Sequence, residues 1–376
     1  MHILFAGGGT AGHINPALAV AQYIKSKHPD AKISYIGKKG GMEERLVKNA
    51  GFDFYPIDVA GFQRKLSLKN VGRNISAVYK VFASSIDCKK LLKTLNPDVV
   101  VGTGGYVSGP VLRTAAKLGI KTAIHEQNAF PGVTTKMLIN MVDTVMLAMP
   151  EAKFRLNLNK KPVITGNPVR ENFGLLSKEE CRKKLSLGNV PVILSCGGSL
   201  GASPINSAVC ELIKNKWKDK DIIFIHAAGK GNYEKCISDL KSAGVDLNAE
   251  NVIVKDYIDN MADYMSAADL LISRAGAISL SEIEVCSKAA ILIPSPYVAE
   301  NHQYHNAMTL KNIGAAEVIE EKDLTGETLI KTVDELIYNK SKLESMGKKA
   351  NSVAIYDSSK RIYEEIMKLY TSYKQI

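Results

Sequence analysis

The sequence predicts an α/β protein built from two Rossmann-like domains with parallel sheets. Strands alternate with helices along the chain, which is typical of a doubly wound parallel sheet. A strand, a glycine turn and a helix occur together twice, at MHILFAGGGT and at VPVILSCGGSLGA. The chain has 376 residues, more than one hydrophobic core usually supports, so two domains are expected.

The first domain is expected to contain a series of apolar strands. They are His2–Ala6, Lys32–Gly37, Asp98–Gly102, Thr122–His125 and Thr144–Leu147. Helices are predicted over Pro16–Lys25 and Met42–Asn49. For the first helix, Asn15 would cap the N-terminus and Pro16 would take the first helical position.

A turn signal, Gly-Asn-Pro within Val163–Arg170, marks the expected domain boundary. We expect a first domain over 1–165, a linker over 166–170, a second domain over 171–355 and a closing helix within 356–376 that packs back on the first domain. The second domain repeats the pattern with strands at Val192–Cys196, Ile222–Ala227, Asn251–Val254, Asp269–Ile272 and Ala289–Ile293, and with helices at Lys178–Leu185, Pro204–Asn215 and from Ala277 onward.

Composition argues against several classes of protein. No uncharged apolar run reaches the roughly 18 residues of a membrane-spanning helix, and the start MHILFAGGG lacks the features of a signal peptide. The six cysteines are scattered without a CxxC pair, which is typical of reduced thiols in a cytoplasmic protein. The histidines form no convincing set of metal ligands, so no metal site is predicted.

Charge is divided unevenly along the chain. Residues 1–170 carry 24 Lys and Arg against 10 Asp and Glu, whereas the remainder carries 25 against 28. A basic first domain indicates an anionic partner. No nucleic-acid-binding module is recognisable, so an anionic membrane surface or a phosphorylated lipid is the favoured partner. The segment Arg64–Phe82 mixes basic and apolar residues; it is either a core-packed helix, the commoner arrangement, or a surface that lies on the bilayer.

Glycine loops follow two strands of the first domain. Gly7–His13 satisfies GxGxxG, but the second strand ends in Gly-Lys-Lys without the acidic residue that holds a ribose, so NAD is disfavoured and NADP remains open. His13 is either structural or a site residue, since it lies at the sheet edge where ligands bind. Gly102–Pro110 is a second loop suited to a diphosphate. The polar stretch His125–Asn128 follows a third strand at the same edge.

The stretch SRAGAISLSE, residues 273–282, has the features of a nucleotide-diphosphate site. Free N–H groups at a helix N-terminus near Ala277 attract phosphate. Glu282 lies one turn further on, where a carboxylate would repel phosphate but suits a ribose hydroxyl. Ser199 in the second domain's own glycine loop could donate to a phosphate oxygen, and Gln303 and Asn306 follow the next strand.

Six segments resemble the MurG family of bacterial cell-wall glycosyltransferases, in the order and spacing of that family. They are GGGTAGHINPALAVA, VGTGGYVSGPV, HEQNAFPGVTTK, GNPVR, CGGSLGA, and SRAGAISLSE followed by NHQYHNA. The resemblance implies a GT-B fold, in which two Rossmann-like domains face a cleft. It also implies inverting, metal-independent transfer of GlcNAc from UDP-GlcNAc to the muramyl 4-hydroxyl of lipid I, giving lipid II and UDP without a cofactor.

The resemblance assigns roles residue by residue. His13 is the predicted catalytic base, Ser199 and the helix start near Ala277 bind the diphosphate, and Glu282 binds the ribose. Ile258 contacts uracil and Gln303 a sugar hydroxyl; the family often has a second Gln at His302. The predicted donor-binding residues are Thr10, Ala11, Gly12, Asn128, Arg170, Ser199, Ile258, Ala277, Ile278, Ser279, Leu280, Ser281, Glu282 and Gln303, and those of the acceptor phosphate loop are Gly104, Gly105 and Tyr106. Two residues depart from the family pattern without removing a backbone donor: Ala11 for glycine and Ser279 for threonine.

The expected partners are UDP-GlcNAc, lipid I (an undecaprenyl-diphosphate-linked muramyl pentapeptide) and an anionic membrane, with other proteins of cell-wall synthesis or division as candidates. The expected location is peripheral, on the cytoplasmic face of the cell membrane. Three alternatives are a transferase for another lipid such as diacylglycerol, a non-catalytic UDP-sugar-binding subunit at the membrane, and a nicotinamide-dependent reductase.

Overall fold

Two parallel sheets organise the computed structural model, which describes residues 1–59, 85–170, 172–198 and 200–374. The chain divides into two compact units. The first contains Met1–Val169 together with Asp357–Ile376, and the second contains Arg170–Tyr356. The segment Arg64–Phe82 and Ser199 lie outside the described residues, so their predicted roles stay predictions.

The sheet of the first unit has the strand order β3-β2-β1-β4-β5-β6-β7, and every pair is parallel. Its strands are β1 His2–Ala6, β2 Lys32–Lys38, β3 Asp53–Ile57, β4 Val99–Gly102, β5 Lys121–Glu126, β6 Thr144–Leu147 and β7 Val163–Ile164. The order reverses between β1 and β4. In this class of sheet, ligands bind at the carboxyl ends of the strands that flank such a reversal.

Helices cover both faces of this sheet. They are α1 Ala11–Lys27, α2 Met42–Asn49, α3 (residues 85–95), α4 Gly105–Lys117 and α5 Val133–Leu138, followed by a 3₁₀ turn at Pro150–Arg155. Successive side chains of a strand point to opposite faces. Accordingly Leu4 packs with the core formed by α3, α4 and α5, whereas Ile3 and Phe5 pack on the other face with α1.

The first helix begins earlier than predicted. Its first residue is Ala11, so Asn15 is not its cap and Pro16 lies inside it. The N–H groups of His13 and Ile14 both bond to the Thr10 carbonyl, which closes the first turn five residues before the expected start. Proline removes one backbone donor there, and a helix tolerates this most easily close to its N-terminus. The prediction of the helix start was therefore wrong.

The sheet of the second unit has the order β10-β9-β8-β11-β12-β13 and is also parallel. Its strands are β8 Val192–Cys196, β9 Ile223–Ala227, β10 Val252–Lys255, β11 Leu270–Ser273, β12 Ala289–Leu292 and β13 Ala316–Val318. Its helices are α6 Lys178–Lys184, α7 Ser203–Lys216, α8 Tyr233–Ser242, α9 Met261–Ala267, α10 Ala277–Val285, α11 His302–Asn312, α12 Gly326–Ile337 and α13 Lys340–Asn351, with 3₁₀ turns at Ala299–Asn301 and Glu321–Asp323.

The last helix, α14 Ser358–Lys374, belongs to the first unit. Its Ile362, Ile366 and Leu369 are buried in the same apolar cluster as Ile3 and Phe5. The His28 imidazole also bonds to the Tyr363 hydroxyl at 2.8 Å. Across the four described ranges, no helix is both long and apolar enough to cross a bilayer.

Candidate active site

The first unit brings two glycine loops together where its strand order reverses. Ala6 at the end of β1 pairs with Gly102 at the end of β4, so the loops that follow begin side by side. The Thr103 hydroxyl donates to the His13 carbonyl at 2.7 Å. The Tyr35 hydroxyl donates to the Gly7 carbonyl at 3.1 Å. These bonds fix the first loop and the start of α1 against the edge of the sheet.

His13 is half-buried in the first turn of α1. Its Nδ1 lies 3.0 Å from the Gly8 carbonyl oxygen and 3.3 Å from the Thr10 hydroxyl. A carbonyl oxygen only accepts, so Nδ1 must carry the proton in this arrangement. The neutral ring then has its lone pair on Nε2. His13 is therefore in the tautomer that a general base acting through Nε2 requires.

The second loop comes very close to this imidazole. Gly104 has a φ of +102°, and a Cβ there would lie 2.8 Å from His13 Cδ2 and 3.1 Å from Nε2. Gly105 has a φ of +74°, and its Cβ would overlap the Gly8 carbonyl oxygen. Only glycine fits at either position without displacing neighbouring atoms. The structure thus brings Gly104 to His13, Gly105 to the Gly8 carbonyl and Tyr106 to Gly9.

Asn128 is held by the carboxylate of Glu126 at the end of β5. Glu126 Oε1 accepts from the Asn128 backbone N–H at 3.0 Å and from its side-chain amide at 3.1 Å. The other oxygen, Oε2, accepts from the Gly132 N–H at 3.0 Å and from the Thr135 hydroxyl at 2.5 Å. Four donors therefore engage this buried carboxylate, which favours a loop-holding role over proton transfer. Neighbouring His125 is also buried, and burial lowers its pKa.

The second unit repeats this geometry. Cys196 at the end of β8 pairs with Ser273 at the end of β11, so the glycine loop and the stretch that starts at Arg274 begin side by side. Helix α10 starts at Ala277, as expected, after Gly276, which offers no side-chain cap. The first-turn residues Ile278 and Ser279 are half-buried. N–H groups in a first helical turn have no partner within the helix, so this end favours an anion.

Glu282 lies one turn into α10 and is half-buried. Burial raises the pKa of its carboxyl to about 7, and the positive charge of Arg170 opposes that rise. Arg170 is exposed, and its guanidinium lies 5.1 Å from the centre of the Phe173 ring. Glu282, the predicted ribose acid, and Arg170, the predicted donor arginine, both belong to the second unit. The charge of Arg170 acts on the Glu282 carboxyl.

Other predicted site residues of the second unit are buried or hydrogen-bonded to the protein backbone. The Leu280 side chain is fully buried and its N–H donates to the Gly276 carbonyl, so Leu280 supports α10 from inside. Ile258 is buried after β10. Gln303 accepts from the Ser295 N–H at 2.9 Å through its side-chain oxygen. Its amide N–H₂ group remains the donor that could meet a sugar oxygen.

Further side chains fix the loops at these two sheet edges, and two of them, Arg274 and Glu43, were not predicted from the sequence. Arg274 forms an ion pair with Glu321 and donates to the Ile293 carbonyl at 3.1 Å, so it fixes the loop before α10. Asn306, which the sequence placed near this loop, is fully buried and donates to the Ala275 carbonyl at 3.2 Å. In the first unit, Glu43 reaches behind the glycine loop from α2. The described residues contain no group of three or more His, Cys, Asp or Glu side chains placed to hold a metal ion.

Comparison with known proteins shows the family to which this chain belongs. The N-terminal domain of glycosyltransferase family 28 matches residues 3–147, and its C-terminal domain matches residues 192–362. The chain belongs to glycosyltransferase family 28. The glycosyltransferase prediction is thereby confirmed.

Relatives within family 28 cover nearly the full chain. The UDP-N-acetylglucosamine--N-acetylmuramyl-(pentapeptide) pyrophosphoryl-undecaprenol N-acetylglucosamine transferase of Acetivibrio thermocellus is 44% identical over 367 residues, which is 97% of each chain. The crystal structure of Acinetobacter baumannii MurG superposes with a TM-score of 0.80 at 29% identity, covering 98% of this chain and 99% of that one. The expected resemblance to the MurG family and the GT-B fold class are confirmed.

A more distant neighbour shares the fold alone. UDP-GlcNAc 2-epimerase from Neisseria meningitidis, solved with bound UDP-GlcNAc, superposes with a TM-score of 0.63 at 17% identity, covering 98% of this chain and 100% of that one. Its name describes another reaction. The fold alone therefore does not determine the reaction, which depends on the residues of the site.

Proposed function

We propose that this protein transfers GlcNAc from UDP-GlcNAc to the muramyl 4-hydroxyl of lipid I, giving lipid II and UDP for peptidoglycan synthesis. Similarity at 44% identity over 97% of the chain to a transferase named for this reaction supports the substrates. The observation that carries the chemistry is the hydrogen bond from His13 Nδ1 to the Gly8 carbonyl, which leaves Nε2 able to accept a proton.

The donor binds mainly to the second unit, Arg170–Tyr356. The diphosphate meets the N-terminus of α10 at Ala277–Ser279, together with Ser199. Ribose hydroxyls donate to Glu282, and uracil lies against Ile258. Gln303 contacts the sugar through its amide. The raised pKa of Glu282 supports this assignment, because strongly perturbed carboxyls cluster at functional sites.

The acceptor binds to the first unit, where Gly104, Gly105 and Tyr106 face its diphosphate and the Thr10–Gly12 turn and Asn128 contact the transferred sugar. The net charge of +14 over residues 1–170 supports an anionic acceptor and an anionic bilayer as partners. We infer a peripheral location on the cytoplasmic face of the membrane, with Arg64–Phe82 as a contact segment. Other proteins of cell-wall synthesis or division are candidate partners.

The reaction is a displacement at the anomeric carbon. His13 Nε2 takes the proton of the acceptor 4-hydroxyl as its oxygen attacks from the face opposite UDP. The bond from the anomeric carbon to the diphosphate oxygen breaks, and UDP leaves with the electron pair. Configuration is inverted. The start of α10 stabilises the charge that develops on the departing diphosphate, because its dipoles are oriented before the reaction.

A direct assay tests this function. The purified protein is incubated with UDP-GlcNAc and a soluble lipid I analogue, and UDP release and disaccharide formation are measured. In parallel, diacylglycerol replaces the lipid I analogue. Release of UDP with diacylglycerol but not with the lipid I analogue would contradict the proposed acceptor.

His13→Ala separates a transferase from a binding subunit. The variant should lose about 10²-fold or more in kcat, the usual contribution of a general base, while its affinity for UDP-GlcNAc is retained. Donor affinity is measured by calorimetry and turnover by UDP release. Full turnover in the variant would remove His13 from the mechanism.

A further inference from the structure

A buried carboxylate lies directly behind the first glycine loop. Glu43, in the first turn of α2, is 1% exposed. Its Oε1 accepts from the Lys38 N–H at 3.0 Å, and its Oε2 lies 3.4 Å from the Gly9 N–H. It forms no ion pair with any residue that the structure describes. Burying a carboxylate without a cation costs free energy. The burial of Glu43 therefore needs a structural reason that an acid facing solvent would not.

Three glycines make room for this carboxylate. A Cβ on Gly8 would overlap Oε1, a Cβ on Gly41 would lie 2.7 Å from Oε2, and a Cβ on Gly37 would lie 2.6 Å from the Glu43 Cγ. Acids in a first helical turn commonly serve that helix's own N–H groups. Glu43 instead bonds to the end of β2 and to the loop after β1. The fold therefore directs this carboxylate to the loop.

One peptide unit connects Glu43 to His13. The Gly8 carbonyl and the Gly9 N–H belong to the same planar group and point in opposite directions. The N–H faces Glu43, while the carbonyl accepts from His13 Nδ1 at 3.0 Å. Glycines on both sides leave this peptide free to rotate. Rotation would present an N–H to His13 Nδ1, which favours the opposite tautomer with its proton on Nε2.

We propose that Glu43 is a positioning residue: it holds the Gly8–Gly9 peptide in the orientation that keeps His13 protonated on Nδ1 and able to accept a proton on Nε2. This inference rests on the proposed role of His13 as the base. Glu43 touches no substrate and acts only through the peptide.

Glu43→Gln tests the inference, with Glu44→Gln as the matched control. Glutamine has one acceptor oxygen, so its N–H₂ group must face either the Gly9 or the Lys38 N–H. We expect kcat to fall about 10-fold to 100-fold, at or below the lower end of general-base effects because the base itself is retained, with the KM for UDP-GlcNAc within about 2-fold of wild type. Glu44 lies in the same turn but pairs with Lys48, so its variant should keep both values.

The tautomer is measured directly by two-bond ¹H–¹⁵N correlation in protein labelled at histidine nitrogen. His13→Gln identifies the His13 signals. Wild type should show the proton on Nδ1, and Glu43→Gln should show it wholly or partly on Nε2. An unchanged tautomer, or an unchanged kcat, in Glu43→Gln overturns the inference. If Glu43→Gln does not fold, Glu43→Asp takes its place, because aspartate keeps the charge but is too short to reach both N–H groups. An unchanged tautomer or an unchanged kcat in Glu43→Asp overturns the inference in the same way.

The two hypotheses fail separately. An active His13→Gln overturns the role of His13 as base. An inactive His13→Gln together with a fully active Glu43→Gln overturns the positioning role of Glu43 alone.

Discussion

Glu282→Gln should make the second unit more stable at alkaline pH than the wild type. The folded-state pKa of the Glu282 carboxyl is raised from 4.5 to about 7. The folded protein therefore binds this proton more tightly than the unfolded chain does. Stability must then fall as the pH rises from about 4.5 to about 7, and it levels off above that range. Glutamine does not ionise, so the variant lacks this loss.

The size of the effect follows from the difference between the folded and unfolded pKa values. A tenfold difference in proton affinity corresponds to about 1.4 kcal/mol, which gives a full cost of roughly 3 kcal/mol above pH 7. Roughly 1 kcal/mol of that cost is already present at pH 5. Because Glu282 is half-buried, solvent screening reduces these values. We expect the wild type to lose about 1–2 kcal/mol relative to Glu282→Gln between pH 5 and pH 8.

Urea unfolding followed by tryptophan fluorescence measures this difference. The chain has one tryptophan, Trp217, and it packs against the core of the second unit, so its emission reports that unit alone. Unfolding free energies are compared at pH 5 and pH 8 without UDP-GlcNAc. Glu327→Gln, at an exposed position in the same unit, should track the wild type. If Glu282→Gln also tracks the wild type at both pH values, the carboxyl is not destabilised by burial and the prediction is wrong.

Two further substitutions probe the first unit. Gly104→Ala should displace the His13 ring and lower kcat about 10-fold or more with donor KM retained. Gly119→Ala, also at a positive φ (+74°) but with no atom within 4 Å of its Cβ, should keep kcat. Equal activity of the two variants would contradict the contact. Glu126→Gln should destabilise the loop over residues 126–135 by about 1–3 kcal/mol, because a buried amide N–H₂ group would face other donors. Hydrogen exchange over residues 126–135 should then be faster than in the wild type. Unchanged exchange would refute the prediction.

The central strands of both sheets could be predicted from sequence because they are buried on both faces. The observed limits of β1, β6 and β8 are the predicted ones. The pattern did not single out β3, β7 and β13, which are all edge strands in the observed order. Edge strands are short and partly exposed, so their apolar signal is weak. Strand β3 also contains Pro56, which only an edge position tolerates readily.

The site was predictable where function depends on a local motif, and not where it depends on a distant contact. SRAGAISLSE predicted the start of α10 because a strand, small residues and a helix pattern follow one another directly. Sequence alone does not distinguish Glu43 from an ordinary acid at a helix start, because its partner Gly9 lies 34 residues away. The tautomer of His13 likewise depends on the direction of one glycine peptide, which composition and periodicity do not encode.

The position of α14 has a consequence for synthesis on the ribosome. The first unit is assembled from two distant parts of the chain, and α14 supplies Ile362, Ile366 and Leu369 to the core that contains Ile3. Domains usually complete their folding in the order in which they emerge. Here the earliest-made strands must wait for α14 before their core can close. The second unit, made from one continuous segment, is the first that can finish, and until α14 has emerged the apolar surface that Ile362, Ile366 and Leu369 cover stays exposed.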